Sequence, residues 1–552
     1  MMRREIDDVR EDPKTGVPAL FEGLGNVLYN LIIFGVIVGI AAVAGAFLLG
    51  GAISHLVESW FGIPQTKDRA ILAGGVIGGV IGLPLWFRAS TFWGALFPDM
   101  DQSHGSARFA DDTEIGSIMH KHEGLLIGLD RETGRFLRYD GKAHLLTLAP
   151  TRSGKGVGTI IPNLLKTRHS VIVIDPKGEN TRITGQARID MGPLYVLDPF
   201  GISGYPSAAF NPLDMLEPDS LDLGEDAAAL ADALVVDPPD QVKDAHWNEE
   251  AKALIQGLIL WGVCHEPEGQ RNLGRLRELL TLPHQKFAEL LVDMQDSKAA
   301  HGLIARAANR HISKPEKEAG SILSNAQRHT HFLDSPRMIE VTKTSHFAFA
   351  DLRKQTASLF VVLPPDRLDV YARWLRLIVA QGLQDIVRDA QRPSEAVTDA
   401  LSAPGTPTLF LLDEFASLGR LAPVERAMGL MAGYGVQLWP ILQDLSQLKA
   451  LYGTSANTFI ANSDVIQAFG VNDYETAKWL SLTLGQETRR YKIKSHEEGQ
   501  TTSENVHARD LLTPDEIMRL DPSLQILKVK GLNPVISKRV IYYKDERFSG
   551  LF

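Results

Sequence analysis

A glycine-rich stretch is the part of this 552-residue chain whose residue types and spacing point most directly to chemistry. Its sequence, Ser153-Gly154-Lys155-Gly156, lies between a short apolar run and a helical spacing of apolar residues. In such a turn the backbone N–H groups, the helix N-terminus and the lysine together hold phosphate groups. We therefore predict that nucleotide is bound by seven consecutive residues: Thr151, Arg152, Ser153, Gly154, Lys155, Gly156 and Val157.

The glycine-rich stretch departs from the strict P-loop pattern at both ends. The pattern has glycine first and serine or threonine last, whereas this chain has Ala149 and Gly156. The usual hydroxyl ligand of magnesium is therefore missing, and Thr151, Thr159 or a water molecule are the alternatives. Pro162 predicts a bend soon after the helix begins. A strand-to-helix turn that binds no ligand is the competing interpretation.

Two adjacent carboxylates follow a second apolar run, in the sequence TLFLLDEF. The run predicts a strand with Asp413 and Glu414 at its C-terminal end, which is the edge where ligands bind in open α/β sheets. ATP hydrolysis needs one carboxylate to hold Mg²⁺ and a second to polarise the attacking water. We predict that Asp413 is the metal ligand and Glu414 the catalytic base. The alternative is an ordinary strand end with a helix-capping aspartate.

Other polar residues follow neighbouring predicted strands. Gln443 ends the next apolar run, where its amide could sense the γ-phosphate or orient the water; a surface polar residue is the alternative. Asp175 and Lys177 follow another buried run and are predicted to support the nucleotide site. A plain strand-to-helix turn explains those two residues equally well.

The elements that must position these residues are predicted from hydrophobicity. Most of the apolar runs are continuous rather than alternating, which is typical of strands buried on both faces of a largely parallel sheet. Helical spacings lie between several of the runs, so the predicted class is α/β. The predicted strands are Leu145–Leu148, Val171–Ile174, Leu194–Leu197, Leu359–Leu363, Leu409–Leu412, Val436–Leu442 and Val465–Phe469.

The strand signal is interrupted by a helical region, which predicts an all-α domain inserted into the α/β domain. Its predicted helices are Ala227–Val236, Glu249–Cys264, Gln285–Met294 and Glu316–His329. The chain is predicted to divide into five segments. They are an N-terminal segment (1–26), a transmembrane hairpin (27–90), the first part of the nucleotide-binding domain (105–211), the all-α domain (212–345) and the second part of the nucleotide-binding domain (346–552).

A polar segment in the C-terminal third of the chain, Gln486 to His507, is predicted to be a mobile excursion from the α/β domain. Its basic residues could contact the phosphates of a nucleic acid, although a solvated loop is the alternative interpretation. The residues concerned are Arg489, Arg490, Lys492 and Lys494.

Two uncharged apolar runs precede all of these elements. Val27 to Leu49 is long enough to span a bilayer, and Ala70 to Phe87 is at the short end of the range. We predict a transmembrane hairpin at 27–90. The basic residues before the first run favour an N-terminus on the cytoplasmic side of the membrane. The bulk of the chain is then cytoplasmic. A buried helical hairpin is the alternative.

Composition excludes several classes of protein. The chain is 44% hydrophobic and 22% charged, which excludes disorder throughout. A net charge of −10 argues against a surface coated with nucleic-acid-binding basic residues. Cys264 is the single cysteine, so no intrachain disulfide can form. His120 and His122 have no partners at metal-ligand spacing and are predicted to be exposed.

The order and spacing of several motifs resemble those of TraG-like coupling proteins of type IV secretion and bacterial conjugation. The resemblance extends from about Val27 to the end, and the family is similar in overall plan to the FtsK and HerA DNA pumps. The motifs are GSARFA, APTRSGKGVGTIIPNLL, IDPKGEN, HWNEEAKALIQGLIL, LLDEFASLGRL and ILQDLSQL.

The resemblance implies a hexameric inner-membrane ATPase with a RecA-like domain and an all-α domain, using ATP and Mg²⁺. Such proteins pass relaxase-bound single-stranded DNA or effector proteins to the secretion channel. Gln443 falls where the family has its glutamine. Some relatives have an arginine that acts across the subunit interface, where this chain has Ala432 or a neighbour; Arg420 and Arg426 are the alternatives. A receptor scaffold regulated by nucleotide and an FtsK-like DNA translocase are the competing functions.

Overall fold

The computed structural model describes residues 59–60, 104–119, 121, 123–235, 245–391, 406–494 and 502–552. Residues 103–552 form one compact unit. The predicted spans at 27–49 and 70–87, the N-terminal segment 1–26, and His120 and His122 lie outside the described residues. Among the helices that are described, none combines the length and the apolar character needed to cross a bilayer.

The described residues of the compact unit contain 13 strands, 11 of which form one sheet. In chain order the strands are β1 (Leu125–Leu129), β2 (Phe136–Tyr139), β3 (His144–Leu148), β4 (Val171–Asp175), β5 (Leu194–Leu197), β6 (Ser358–Val362), β7 (Thr408–Leu412), β8 (Val436–Leu442), β9 (Ser463–Ala468), β10 (Gln486–Lys494), β11 (Thr502–Asp510), β12 (Leu524–Val529) and β13 (Val535–Lys538).

The main sheet is mixed, with the order β2-β1-β13-β12-β9-β3-β8-β7-β4-β6-β5. The strands from β9 to β5 in this order pair in parallel. The four remaining strands pair antiparallel and extend the sheet beyond β9. The α/β class is therefore confirmed, but the largely parallel sheet that was predicted carries an antiparallel extension of four strands.

Helices cover the sheet and fill the region between β5 and β6. They are α1 (Asp112–Met119), α2 (Ile161–Lys166), α3 (Glu179–Met191), α4 (Leu223–Leu234), α5 (Ala245–His265), α6 (Leu273–Leu280), α7 (His284–Gln295), α8 (Leu303–Ile312), α9 (Glu316–Thr330), α10 (Pro336–Val341), α11 (Asp351–Lys354), α12 (Leu368–Gln391), α13 (Ala422–Leu430), α14 (Leu445–Tyr452), α15 (Ala456–Ala461), α16 (Tyr474–Leu484) and α17 (Pro514–Met518).

The parallel strands form where the sequence has continuous apolar runs. Every residue of β3, β4, β6, β7 and β8 is buried, as expected for strands covered by helices on both faces. Helices α4 to α10 contain all the regular α-helical structure between β5 and α11, and the described part of 212–345 has no strand. The proposed domain boundaries remain a prediction.

The helical region and the sheet share one hydrophobic core. At their junction Phe210 stacks against Phe347, with ring centroids 5.3 Å apart, and meets Phe349 edge-on at 4.9 Å. Such aromatic pairs add to the stabilisation that comes from the buried area itself. The junction is therefore a packed interior and not a thin linker.

The described residues of the polar segment from Gln486 to His507 lie outside the main sheet, and the mobility predicted for this segment stays a prediction. These residues form most of a two-stranded antiparallel ribbon, β10 and β11, which pair over nine positions from Gln486 with Asp510 to Lys494 with Thr502. The backbone of Ala107 donates to the carbonyl of Gln486 at 2.9 Å and ties the GSARFA segment to the base of the ribbon. The two strands were not predicted because their sequences contain no continuous apolar run.

Candidate nucleotide-binding site

The glycine-rich stretch connects β3 to α2 through a tight turn and a short π-helix. The amide of Ala149 donates to the carbonyl of Leu442 at 2.8 Å, which fixes the start of the turn against β8. The π-helical turn covers Gly156–Ile160, and Pro162 lies in the first turn of the α-helix that follows. Pro162 has no backbone N–H to donate, and it lies where the π-helical turn passes into the α-helix.

The turn itself contains two residues with left-handed backbone conformation. Arg152 has φ 64° and Gly154 has φ 84°. Alternation of left-handed and right-handed residues points successive N–H groups toward one concave side, which is the geometry of an anion-binding nest. Ser153 donates its hydroxyl to the carbonyl of Pro150 at 2.6 Å and stabilises the turn. Thr151 and Arg152 are exposed.

The four residues predicted to be catalytic lie together at the C-terminal ends of β3, β8 and β7. Lys155 Nζ is 2.9 Å from Asp413 Oδ1 and 2.5 Å from Glu414 Oε1. Gln443 Nε2 donates to Glu414 Oε2 at 3.1 Å. The side chains of Lys155 and Asp413 are only 13% and 14% exposed. The sheet order therefore places the turn and the carboxylate pair in direct contact.

One ammonium group lies between two carboxylates, and the two carboxylates respond in opposite directions. Burial raises the pKa of Asp413, and the attraction of Lys155 offsets this only in part. Burial also acts on Glu414, but hydrogen bonds from Lys155 and Gln443 hold the pKa of Glu414 below its ordinary value. Burial opposes the charge on Lys155, whose pKa is nevertheless raised by Asp413 and Glu414. Lys155 and Glu414 are therefore both charged at neutral pH.

Glu414 has an unusual backbone conformation, with φ 49° and ψ 42°. This left-handed conformation costs a non-glycine residue roughly 1–3 kcal/mol. It is held by Ser417, whose amide and hydroxyl both donate to the Glu414 carbonyl, at 2.8 and 2.7 Å. Asp413 accepts the Glu414 amide at 2.9 Å and does not cap the following 3₁₀ turn. The capping interpretation of Asp413 is therefore wrong.

The hydroxyl of Thr159 is not directed at the turn. Thr159 is fully buried, and it donates to the side-chain oxygen of Gln467 at 3.1 Å. Thr147 donates to the same oxygen at 2.9 Å, and Gln467 donates in turn to Gln525 at 2.7 Å. This buried network joins the P-loop helix to β3, β9 and β12. Thr151 and a water molecule remain as the predicted substitutes for the missing serine or threonine.

Asp175 is the last residue of β4, and Lys177 lies in the turn that follows. Asp175 accepts the amide and the hydroxyl of Thr181, each at 2.8 Å, so this carboxylate holds the start of α3. Burial raises the pKa of Asp175, and the charge of Asp413 adds to the effect. Lys177 is exposed, and its charge lowers the pKa of Glu414. Both residues are thus electrostatically coupled to the carboxylate pair.

The candidate arginine residues lie in the segment that follows the carboxylates. Arg420 pairs with Glu425 at 3.2 Å and is exposed, as is Arg426. Arg376, from α12, is buried and donates to the Arg420 carbonyl. Arg376 therefore fixes the backbone of this segment, while the Arg420 and Arg426 side chains face solvent.

Sequence reasoning did not identify Arg539, which also contacts the glycine-rich turn. Its Nη2 donates to the Gly154 carbonyl at 3.1 Å, across a separation of 385 residues in the chain. No motif marks this residue in the sequence, because only the insertion of β13 between β1 and β12 brings it to the turn.

The fold and the site define a P-loop nucleotide-binding protein. The family model described as type IV secretory system conjugative DNA transfer matches residues 101–550. The chain belongs to this family, and the predicted resemblance is confirmed.

Known relatives and solved structures agree with this assignment. The conjugal transfer protein TraG of Escherichia coli is 31% identical over 504 residues, which cover 81% of this chain and 78% of that protein. VirD4 of Rhizobium radiobacter is 28% identical, over 81% of this chain and 65% of its own length. The bacterial conjugative coupling protein TrwBdeltaN70 superposes with a TM-score of 0.60 at 16% identity, covering 78% of this chain and 92% of that one. The plasmid coupling protein TrwB, solved in complex with ADP and Mg²⁺, gives 0.58 at 17% identity, covering 79% and 94%. These likenesses show a shared fold.

Proposed function

We propose that this protein is the coupling ATPase of a type IV secretion system, which uses ATP hydrolysis to move substrates into the secretion channel. The observation that carries the proposal is the contact of Lys155 with Asp413 and Glu414, in a chain that belongs to the conjugative DNA-transfer family. A structural neighbour solved with ADP and Mg²⁺ supports the choice of nucleotide and metal.

The residues present fit a magnesium nucleotide. The backbone N–H groups of residues 151–157 and the Lys155 ammonium would hold the phosphates, and Asp413 would hold Mg²⁺ together with water. No cluster of three or more histidine, cysteine or acidic residues suitable for a metal occurs in the described part of the chain. A single carboxylate suits Mg²⁺, which keeps several waters and binds largely through substrate phosphates. Bound Mg²⁺ would neutralise charge that develops on the phosphate oxygens.

The side chains then have separate roles in hydrolysis. Lys155 would exchange its carboxylate partners for phosphate oxygens, which leaves Glu414 free to accept a proton from the attacking water. Before nucleotide binds, Lys155 and Gln443 hold the pKa of Glu414 low and keep this carboxylate ionised, and the departure of Lys155 then raises that pKa and makes Glu414 a stronger base. Gln443, hydrogen-bonded to Glu414, would hold it in position or orient the water.

The proposal includes the arrangement implied by the family. The chain would assemble as a homohexamer anchored in the bacterial inner membrane by the segment 27–90, with the bulk of the chain cytoplasmic. ATP would lie between neighbouring subunits, where the exposed side chains of Arg420 or Arg426 are available to a neighbouring copy. Its partners would be components of the secretion channel.

The cargo would be relaxase-bound single-stranded DNA, effector proteins or both. The basic residues of β10, Arg489, Arg490, Lys492 and Lys494, stay predicted contacts to DNA phosphates. A second candidate function is a receptor scaffold in which nucleotide only controls assembly, and the net charge of −10 favours it. ATP hydrolysis that is no faster with DNA present, in a hexamer that binds cargo, would support the scaffold.

The proposed motor is tested by Lys155→Ala. We expect loss of ATP hydrolysis and of substrate transfer, because the ammonium no longer holds the phosphates and two carboxylates are left without their counter-ion. Lys166→Ala is the matched control, since Lys166 lies in the same segment but contacts the ring of Phe548. ATPase assays on purified protein and transfer assays in cells provide the measurements. Transfer at the wild-type rate by Lys155→Ala would refute the motor.

A further inference from the structure

The side chain of Arg539 joins three separate parts of the molecule beside the glycine-rich turn. Its Nη2 donates to the Gly154 carbonyl at 3.1 Å, and its Nη1 donates to the Pro522 carbonyl at 2.9 Å. The guanidinium carbon lies 4.3 Å from the centroid of the Phe469 ring, within the range of a cation–π contact. The Arg539 amide donates to the Ser523 carbonyl at 2.8 Å. Both the backbone and the tip of this residue are therefore fixed by other parts of the fold.

The glycines of the turn leave room for this side chain. A β-carbon on Gly154 would lie 2.6 Å from Arg539 Nη2, and one on Gly158 would lie 3.1 Å from the Val540 carbonyl. Gly154 also has φ 84°, which a residue with a side chain seldom adopts. Gly154 thus meets two requirements, the left-handed turn and the close approach of the guanidinium.

The Gly154 carbonyl determines where the Lys155 amide points. Both groups belong to one planar trans peptide, so the C=O and the N–H point in opposite directions. The carbonyl is held by Arg539 and also accepts the amide of Gly158 at 2.9 Å. Anchoring the carbonyl on the helix side leaves the Lys155 N–H directed toward the N-terminal, phosphate-binding side of the turn.

We propose that Arg539 is a positioning residue that sets the Gly154–Lys155 peptide in its phosphate-binding orientation before ATP arrives. The inference rests on the proposed binding of ATP, and Arg539 would act without touching the nucleotide. Preorganised N–H groups hold the phosphates alike in the ground state and in the transition state. Loss of Arg539 therefore raises KM and the nucleotide Kd, while kcat changes little.

The experiment compares Arg539→Ala and Arg539→Lys with Arg547→Ala in the full chain. Arg547 is the matched control: its guanidinium lies 3.7 Å from the centroid of the Phe136 ring, pairs with Asp545 and donates to the Gly134 carbonyl, and none of these contacts involves the glycine-rich turn. Steady-state hydrolysis gives KM and kcat, fluorescent ADP binding gives Kd, and thermal unfolding reports the fold. For Arg539→Ala we expect KM and Kd to rise about tenfold, as for loss of a hydrogen bond from a charged donor.

The expected pattern has two further parts. Arg539→Lys gives an intermediate Kd, because an ammonium lacks the planar fork that reaches Gly154 and Pro522 together. Arg547→Ala binds like the wild type. An Arg539→Ala protein that binds ADP as tightly as the wild type overturns the inference. An equal loss of affinity in Arg547→Ala also overturns it, because the effect would then belong to the C-terminal segment in general.

Folding and function are separated by the same data. If Arg539→Ala does not fold, the inference is tested with the folded Arg539→Lys protein. A nucleotide Kd equal to that of the wild type in this variant rejects the inference. If the wild-type protein itself neither binds nor hydrolyses ATP, the proposed function fails, and this inference fails with it. If the wild type binds ATP and the Arg539 variants bind it equally well, the positioning role is rejected and the proposed function stands.

Discussion

At the scale of single residues, the site is a cluster of charged side chains in which each charge shifts the pKa of its neighbours. Lys155 contacts both carboxylates, yet the pKa of Glu414 is lowered while that of Asp413 is raised by burial. The left-handed backbone of Glu414, held by Ser417, keeps its carboxylate within reach of Lys155 and Gln443. Backbone strain at such a position is retained where the geometry serves a function.

Removing the charge of Glu414 separates binding from hydrolysis. In Glu414→Gln we expect hydrolysis to fall by about 10²–10⁴-fold, because the amide cannot accept a proton from water. Nucleotide affinity should stay close to that of the wild type, since Lys155 and the turn are unchanged. Single-turnover hydrolysis and equilibrium ADP binding measure the two effects. Glu289→Gln, which removes the partner of exposed Lys286 in the helical region, is the control and should hydrolyse ATP normally; a Glu414→Gln rate within a few-fold of it would contradict the role of a base.

At the scale of elements, buried polar side chains hold the helices around the turn. Arg188 of α3 is fully buried and donates to the Thr167 carbonyl at 2.7 Å and the His169 carbonyl at 2.8 Å. Its Nε donates to the Ser358 hydroxyl of β6 at 2.7 Å. The Arg188 guanidinium thus ties the loop after α2 to strand β6. Helix α2 is the helix that follows the glycine-rich turn.

Loss of Arg188 should destabilise the fold. For Arg188→Met we expect the free energy of unfolding to fall by about 3 kcal/mol, since buried carbonyls lose their donors. Urea unfolding of the full chain measures the change. Arg182→Met on the same helix provides the comparison, because Arg182 is exposed and its loss should cost under about 1 kcal/mol. Equal midpoints for the two variants would show that Arg188 is not essential to this packing.

The sequence predicts elements well where burial on both faces leaves a continuous apolar run. All seven predicted strands correspond to β3 through β9, and their order in the sheet brings the predicted carboxylates to Lys155. The strands β12 and β13 were missed because Gln525, Lys528 and Ser537 interrupt their apolar residues. Gln525 is buried nonetheless, since it donates to the Ile127 carbonyl at 2.7 Å. A hydrogen bond between residues far apart in the chain leaves no local pattern in the sequence. The contact of Arg539 with the turn could not be predicted for the same reason.

At the scale of the whole molecule, burial favours the neutral form of several histidines in the folded state, as His144 and His169 illustrate. His144 is buried; its Nδ1 accepts the Leu438 amide at 3.0 Å and its Nε2 donates to the Ala427 carbonyl at 3.1 Å. Burial lowers the pKa of His144. Burial, aided by the charge of Arg188, lowers the pKa of His169 to about 4. Protonation of either ring is thus disfavoured by folding.

Stability should therefore decrease as the solution is acidified. Unfolded histidines take up a proton below about pH 6.5, whereas folded His169 does so only near pH 4, so the unfolding free energy falls between these values. His169 alone should contribute about 2 kcal/mol of this loss between pH 7.5 and pH 5. Urea unfolding at pH 7.5 and pH 5 measures the fall, which should be smaller in His169→Gln. Identical pH dependence in the variant and the wild type would contradict the prediction.

The position of β13 has a consequence for biosynthesis. This strand follows every other strand of the main sheet along the chain, yet it lies between β1 and β12 and delivers Arg539 to the glycine-rich turn. Domains generally form from the N-terminal side while translation proceeds. A ribosome-bound nascent chain would have made Lys155, Asp413 and Glu414 long before the strand that completes their surroundings emerges. Full affinity for nucleotide would therefore be acquired only after β13 has emerged and paired with β1 and β12.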